Sequence, residues 1–369
     1  MVVPAVSPYV AICSAVALRS LSIATLVGLP VLLIVLIRRR WFCRRVCPMG
    51  LILETVGKLR PGRTRLVAKL PRIGQWVALL TLAGACVGYP LFLWMDPLAI
   101  FAGYFGLLGQ PAGVAGLIAG VALPVVLILT LLWPGIWCRK ICPLGATQDL
   151  LALPGRVVRQ RIVRQEKSPP RTPLLSDGRP LARRSLLAMC LGVVWATATL
   201  RERRAGGSRP IRPPGSVGEQ QFVGLCVRCG NCIKACPTGI IRPELEPRGI
   251  AGFLAPVIRF DESYCLEDCC RCTEVCPSGA IRRLSLEEKK KTPIGLAKVE
   301  LELCLLYEDQ ECSACVNHCP YEAITIKFNE EQYIAEPRID ATKCPGCGAC
   351  QVACPTSPKA ITVHPLRVA

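Results

Sequence analysis

The chain has 369 residues, enough for two or three domains, and 24 of them are cysteine, far above ordinary globular usage. Its formal net charge of +19 is unevenly placed: residues 1–204 carry 26 Lys and Arg against 6 Asp and Glu, and residues 205–369 carry 19 against 20. A basic excess confined to the apolar half excludes nucleic-acid binding as its purpose, and long apolar runs beside cysteines closed by Cys-Pro exclude a small secreted disulfide scaffold.

Four apolar stretches, Leu21 to Ile37, Val77 to Trp94, Val114 to Trp133 and Ser185 to Leu200, approach the ~20 residues of a membrane helix. They predict an α-helical membrane domain of about four transmembrane helices, with the first span open to extension back through Arg19 or preceded by another over residues 2–18. Arg-rich loops after Ile37 and after Trp133, and a segment from Asp96 to Pro111 without Lys or Arg, place the basic loops on the cytoplasmic face. Asp96, in "MDP", reads as a turn residue, with acceptance of a quinol proton as the functional alternative.

Between the spans the chain twice writes C-x3-C-P, in "WFCRRVCPMG" (Trp41 to Gly50) and "IWCRKICPLG" (Ile136 to Gly145). Cys43 with Cys47 and Cys138 with Cys142 are spaced to lie on one side of a helical turn. The two pairs together supply four soft ligands, so they are expected to hold one additional iron-sulfur cluster of open nuclearity; the plain alternative is four reduced thiols. Residues 156–184 form a basic linker, and Arg183-Arg184 ahead of the signal-like span 185–200 resembles a twin-arginine export signal. A second linker, 201–220, is Gly- and Pro-rich, which favours an extended tether.

Residues 221–369 then repeat one motif, C-x2-C-x3-C-P, four times: Cys229/Cys232/Cys236, Cys269/Cys272/Cys276, Cys312/Cys315/Cys319 and Cys347/Cys350/Cys354, with Pro237, Pro277, Pro320 and Pro355 closing each. One further cysteine precedes each copy, Cys226, Cys265, Cys304 and Cys344, at gaps of two, three, seven and two residues. This is the bacterial ferredoxin run, in which three close thiolates hold one cubane and the fourth, before the proline, reaches the other cluster of a pair. An α+β ferredoxin-like domain with four [4Fe-4S] clusters is expected, and zinc, which needs paired C-x2-C units, is the competitor. Cys270 is spare, and Cys13, Cys86 and Cys190 read as small buried apolar residues. Ile240, Ile281, Ile324 and Ile361, soon after each Cys-Pro, either cover a cluster and begin the next element or are ordinary core.

Residues 1–155, through the two C-x3-C-P motifs, resemble the NapH/NosR-type membrane ferredoxins. The second half resembles the NapG/MauM-type exported polyferredoxins, through the Arg-Arg signal, "RPPG" at Arg212 to Gly215, "CVRCGNCIKACP" at Cys226 to Pro237, "CPSGA" at Cys276 to Ala280 and the wide-gap motif from Cys304. The resemblance to a fusion of the two implies electron transfer from quinol to an extracytoplasmic oxidoreductase such as nitrate reductase, or, as in MauM-like members, service to methylamine dehydrogenase maturation. The expected partners are the membrane, the quinone pool and an extracytoplasmic redox enzyme or small electron carrier. By parity of spans, the polyferredoxin domain is expected outside an inner membrane that the chain crosses several times.

No nucleotide fingerprint and no C-x-x-C-H haem site occur, and the only histidines, His318 and His364, lie in the second half. The sequence therefore describes an electron-transfer protein, with a quinol dehydrogenase role as the one enzymatic option and no catalytic residue of its own. An electron-donating maturation factor and a redox sensor are the alternatives.

Overall fold

The computed structural model describes residues 3–20, 23–38, 40–59, 67, 70–107, 120–152, 178–205, 210–245, 252–308, 310–330 and 333–366. The chain divides into two compact units: residues 1–206 with 220–230 and 277–280, and residues 207–219, 231–276 and 281–369.

The first unit is helical. Helix α1 (Pro8–Leu18) begins where Ser7 turns its hydroxyl to accept the Val10 N–H at 3.4 Å, with Pro8 in the first turn, a start that satisfies one orphan donor and needs none from proline. There follow α2 (Ile23–Ile37), α3 (Trp41–Arg45), α4 (Pro48–Lys58), α5 (Ile73–Cys86), α6 (Pro97–Leu107), α7 (Ala122–Leu132), a π-helical turn at Trp137–Ile141, α8 (Pro143–Leu151) and α9 (Gly178–Ala205). Tyr9, Phe42, Met49, Leu93, Leu98 and Leu144 are buried at its centre. Helix α9 packs on α5 at Gly192, where a Cβ would stand 2.7 Å from the Leu80 carbonyl oxygen, so only glycine allows that approach. Asp96 caps α6: its carboxylate accepts the Leu98 and Ala99 N–H groups at 3.1 Å and the Ser7 hydroxyl at 2.7 Å. The turn reading of "MDP" is the one the geometry carries.

The expected membrane spans are corrected here. Among the described residues no helix is long and apolar enough to cross a membrane. Helix α2 has 15 residues, a length of about 22 Å against a ~30 Å hydrocarbon core. The stretch Val77 to Trp94 stops being helical at Cys86, because Gly88 turns left-handed (φ 91°) and Pro90 follows, a helix stop of the usual chemistry. Helix α7 covers 11 residues and ends before Pro134; residues 114–119 of the third expected span lie outside the described residues. Helix α9 is 28 residues long but carries Arg201, Glu202, Arg203 and Arg204 at its end. Hydropathy does not weigh the chain breakers that end two of these runs, at Gly88-Pro90 and at Pro134. The linker expected at 156–184 lies outside the described residues as far as 177, as do the side chains of Arg183 and Arg184.

The second unit is built from short elements: α11 (Asn231–Ala235), β1 (Ile241–Pro243), β2 (Pro256–Ile258), α12 (Arg271–Glu274), α13 (Leu286–Lys290), β3 (Leu296–Val299), α14 (Ala314–Asn317), β4 (Ile324–Asn329), β5 (Ile334–Ile339), α15 (Ala349–Ala353) and β6 (Ile361–His364). The helix α10 (Glu219–Leu225) precedes them, with only Glu219 belonging to this unit. Three antiparallel pairs result, β1–β2, β4–β5 and β3–β6. The last sets Leu296 opposite His364 and Val299 opposite Ile361, joining chain segments on either side of the last two cysteine motifs.

The expected tether over 201–220 ends α9 through Ala205 and begins α10 at Glu219, and the irregular stretch 210–218 between them is packed rather than free. Arg212 is 8% exposed; its guanidinium donates to Glu219 at 2.7 and 2.8 Å, to Glu244 at 3.0 Å and to the Pro256 carbonyl at 2.8 Å. The Ile258 N–H donates to the Ile211 carbonyl, and the Arg282 N–H to that of Gly215. Composition signalled a linker, but one arginine with two carboxylates fastens it.

Candidate metal centres

Each cysteine motif folds the same way. The third cysteine of each copy, Cys232, Cys272, Cys315 and Cys350, sits in a one-turn helix (α11, α12, α14, α15), and the fourth follows it before the proline. Three residues past that fourth cysteine the backbone turns left-handed at Gly239 (φ 67°), Gly279 (φ 72°) and Glu322 (φ 49°). The turn leads to an isoleucine: Ile240, Ile281, Ile324 and Ile361 are 3–4% exposed, and Ile324 and Ile361 open β4 and β6. Ile324 and Ile361 therefore begin the next element, and Ile240 and Ile361 also line the thiol cavities.

Two cavities show how the motifs combine. One, of about 340 Å³, is lined by Cys265, Cys269 and Cys272 of the second copy together with Cys236, the fourth cysteine of the first. The other, of about 330 Å³, is lined by Cys304, Cys312 and Cys315 of the third copy together with Cys354 of the fourth. A third group is Cys344, Cys347 and Cys350 with Cys319: the Cys350 thiol is pushed up to about 12 by burial and by its neighbours Cys347, Cys344 and Cys319. Three times, then, a cysteine before a proline joins the first three of another copy. By elimination the motif spacing leaves Cys226, Cys229, Cys232 and Cys276. Cys270 lines neither cavity, as its spacing implied.

The donor chemistry fits an iron-sulfur cube. Burial and then the thiols around it push Cys272 up to about 12 and Cys347 to about 11; such crowding opposes four thiolates unless a cationic group stands among them. All 24 cysteines are free of disulfides. Small hydroxyls and amides reach the sulfurs: Thr238 Oγ1 lies 3.4 Å from Cys236 Sγ, Thr356 Oγ1 3.2 Å from Cys354 Sγ, and the Ile281 and Ala323 N–H groups donate to Cys276 and Cys319 at 3.3 and 3.4 Å. The Cys265 N–H donates to the Cys347 carbonyl at 2.9 Å, a backbone contact between two of the sets.

In the first unit the structure also brings Cys43, Cys47, Cys138 and Cys142 together. Burial, then Cys47 and Cys138, push Cys43 up to about 12, and Cys142 is raised by burial and by Cys43, Cys138 and Cys47. The expected helical pairing is replaced by a sharper device. Cys43 lies in α3, but Cys47 is the N-cap of α4 and accepts the Gly50 N–H at 3.4 Å; Cys142 caps α8 and accepts the Gly145 N–H at 3.4 Å. The Pro after each cysteine takes the first helical position. The glycine lets the new helix pass close to the old one, since a Cβ on Gly50 would lie 2.4 Å from the Cys43 carbonyl oxygen. Gln148 and Asp149 were not legible from the motif. Gln148 Nε2 donates to Cys43 Sγ at 3.1 Å, and the buried Asp149 carboxylate holds Arg40 at 2.7 and 3.0 Å, tying one repeat to the other.

Soft-thiol sets that share cysteines crosswise between motifs define a ferredoxin-type protein carrying several [4Fe-4S] clusters. The 4Fe-4S dicluster domain family matches residues 225–280 and 310–357, and the 4Fe-4S binding domain family matches residues 20–66 and 115–162. Among curated relatives, the methylamine utilization ferredoxin-type protein MauM of Methylobacillus flagellatus is 38% identical over 184 residues, 47% of this chain and 76% of that protein. The ferredoxin-type protein NapG of Escherichia coli is 32% identical over 191 residues, 50% of this chain and 80% of its own length; the ferredoxin-type protein NapF of that species is 34% identical over 170 residues, 46% and 92%. The chain belongs to the MauM/NapG family of ferredoxin-type proteins. No solved structure matches it.

Proposed function

We propose that the protein is an electron conduit that takes electrons from a quinol and delivers them to an oxidoreductase, through one centre at Cys43, Cys47, Cys138 and Cys142 and four at the ferredoxin motifs. The observation that carries this reading is the crosswise sharing of cysteines, which joins neighbouring centres through cysteines four positions apart in the chain. Cys232 and Cys236 serve the first and second sets, and Cys315 and Cys319 the third and fourth. The bond from Cys265 to Cys347 supports electron passage between the two pairs. The resulting order is the set of Cys226, then that of Cys265, then that of Cys347, then that of Cys304. Electrons need proximity and no substrate pocket, and the two cavities are lined by thiols and apolar groups. The quinol donor is supported by the NapH/NosR-like motifs of residues 1–155.

Delivery outside the cytoplasm is part of the proposal. Arg183-Arg184 supports twin-arginine export, which carries a domain whose clusters are already assembled. The experiment is anaerobic mixing of the oxidised full chain with a soluble quinol analogue, following bleaching of the iron-sulfur absorbance near 400 nm, with Cys43→Ala as the control. Rapid bleaching that C43A abolishes is expected; equal bleaching in both would overturn entry through that centre. A reporter after Ala369 that is active only in the cytoplasm would overturn export. The relative named for methylamine utilization supports a second reading, delivery of electrons to an enzyme only while it is being matured.

A further inference from the structure

Lys289 is out of place as a lysine. In the run "LEEKKK" its neighbours Lys290 and Lys291 are exposed, yet Lys289 is 4% exposed. Helix α13 turns it inward. Ser285 caps the helix in a capping box with Glu288, which occupies the nearest carboxylate and fixes the rotation of the turn. The Lys289 ammonium donates to the carbonyl of Leu266, the residue after Cys265, and its charge acts on the Cys265 and Cys272 sulfurs. No carboxylate pairs with it among the described residues. A buried ammonium is tolerated only opposite negative charge, and two sulfurs of one thiol set are what faces it.

We propose that Lys289 is a positioning residue that raises the reduction potential of the centre held by Cys236, Cys265, Cys269 and Cys272, making it the most easily reduced of the three sets lying wholly in the second unit. The inference rests on the ligand sets proposed above. Four thiolates around a cubane give a net anionic centre, and reduction adds one electron with no bond made or broken, so a fixed positive charge at the sulfur favours the reduced form. Net charge and hydrogen bonds to sulfur are established determinants of such potentials. No other lysine is buried among the described residues; Lys359, the nearest comparison, is half-buried and donates to the Cys354 carbonyl. The centre at the contact with Cys347 would thus collect electrons midway along the row.

The test is an anaerobic redox titration of the full chain followed by electron paramagnetic resonance, with iron and acid-labile sulfide measured on each sample. Wild type, Lys289→Met, Lys289→Gln, Lys289→Arg and Cys272→Ala are compared. K289M and K289Q are expected to keep their iron and to shift one signal, the one missing in C272A, to more negative potential. The expected shift is at least tenfold in the ratio of oxidised to reduced centre, about 59 mV for one electron, and K289R should restore most of it. Unchanged potentials in K289M and K289Q with iron retained, or an equal shift of every signal, would overturn the inference. Loss of that centre's iron from both neutral variants would overturn it in favour of a purely structural role. If C272A removes no signal, the ligand assignment fails first, a result separable from the behaviour of Lys289.

Discussion

Crosswise ligation makes a prediction that local ligation reverses, and it can be read in whole iron atoms. Cys315 and Cys354 line one cavity although they belong to different motifs, while Cys350 and Cys354 share a motif but not a site. Each [4Fe-4S] site holds about four iron, so four ferredoxin sets and the set in the first unit give about 20 per chain. Cys315→Ala and Cys354→Ala should each remove about four iron, and the double variant should also remove about four. Cys350→Ala combined with Cys354→Ala should remove about eight, because two separate cubes each lose a ligand. If each motif served its own cluster, the two double variants would exchange results. Iron and acid-labile sulfide on anaerobically purified full chain decide the matter, with Cys270→Ala as the control that should lose nothing. A loss of about eight from C315A/C354A with about four from C350A/C354A would refute the pairing. Collapse of all iron on any single change would refute the separability of the sites.

The four cysteines of the first unit should behave as one site: replacing Cys43 and Cys47 or Cys138 and Cys142 should each remove the same iron, and Gln148→Leu should shift its spectrum without lowering the iron count. Iron retained after either pair is removed would show that the pairs do not share a centre. Asp96 gives a pH signature. Burial pushes its carboxyl up to about 7, against the opposing Ser7, Ala99 and Leu98 hydrogen bonds, so the folded state keeps the proton that the unfolded chain releases near pH 4. Its contribution to stability is present at low pH and falls as pH rises from about 4 through about 7. Asp96→Asn keeps an acceptor and removes the charge, so its stability advantage should widen by roughly 2–3 kcal/mol between about pH 5 and pH 8. A pH-independent gap in thermal midpoint would refute this sign.

The sequence by itself determined the chemistry of this protein. Cysteine spacing is a local property, and three thiols within eight residues, closed by proline, wrap a compact centre; this named the cluster type, the spare Cys270 and the isoleucines that follow each motif. It also marked Cys43, Cys47, Cys138 and Cys142 as a repeated set. What it misjudged were features where local pattern and tertiary packing diverge. Apolar runs read as membrane spans, because hydropathy counts side chains and does not weigh Gly88, Pro90 or Pro134, at which two of the helices end. The Pro-rich segment about Arg212 read as a free tether, because nothing in composition announces that Glu219 and Glu244 wait for its guanidinium. Only the tertiary structure decided which fourth cysteine joins which set, that Cys265 meets Cys347, that Gln148 reaches Cys43 and that Lys289, alone of three consecutive lysines, turns inward. Each of these joins residues far apart in the chain or depends on the rotation of a single helical turn, and sequence periodicity carries no record of either.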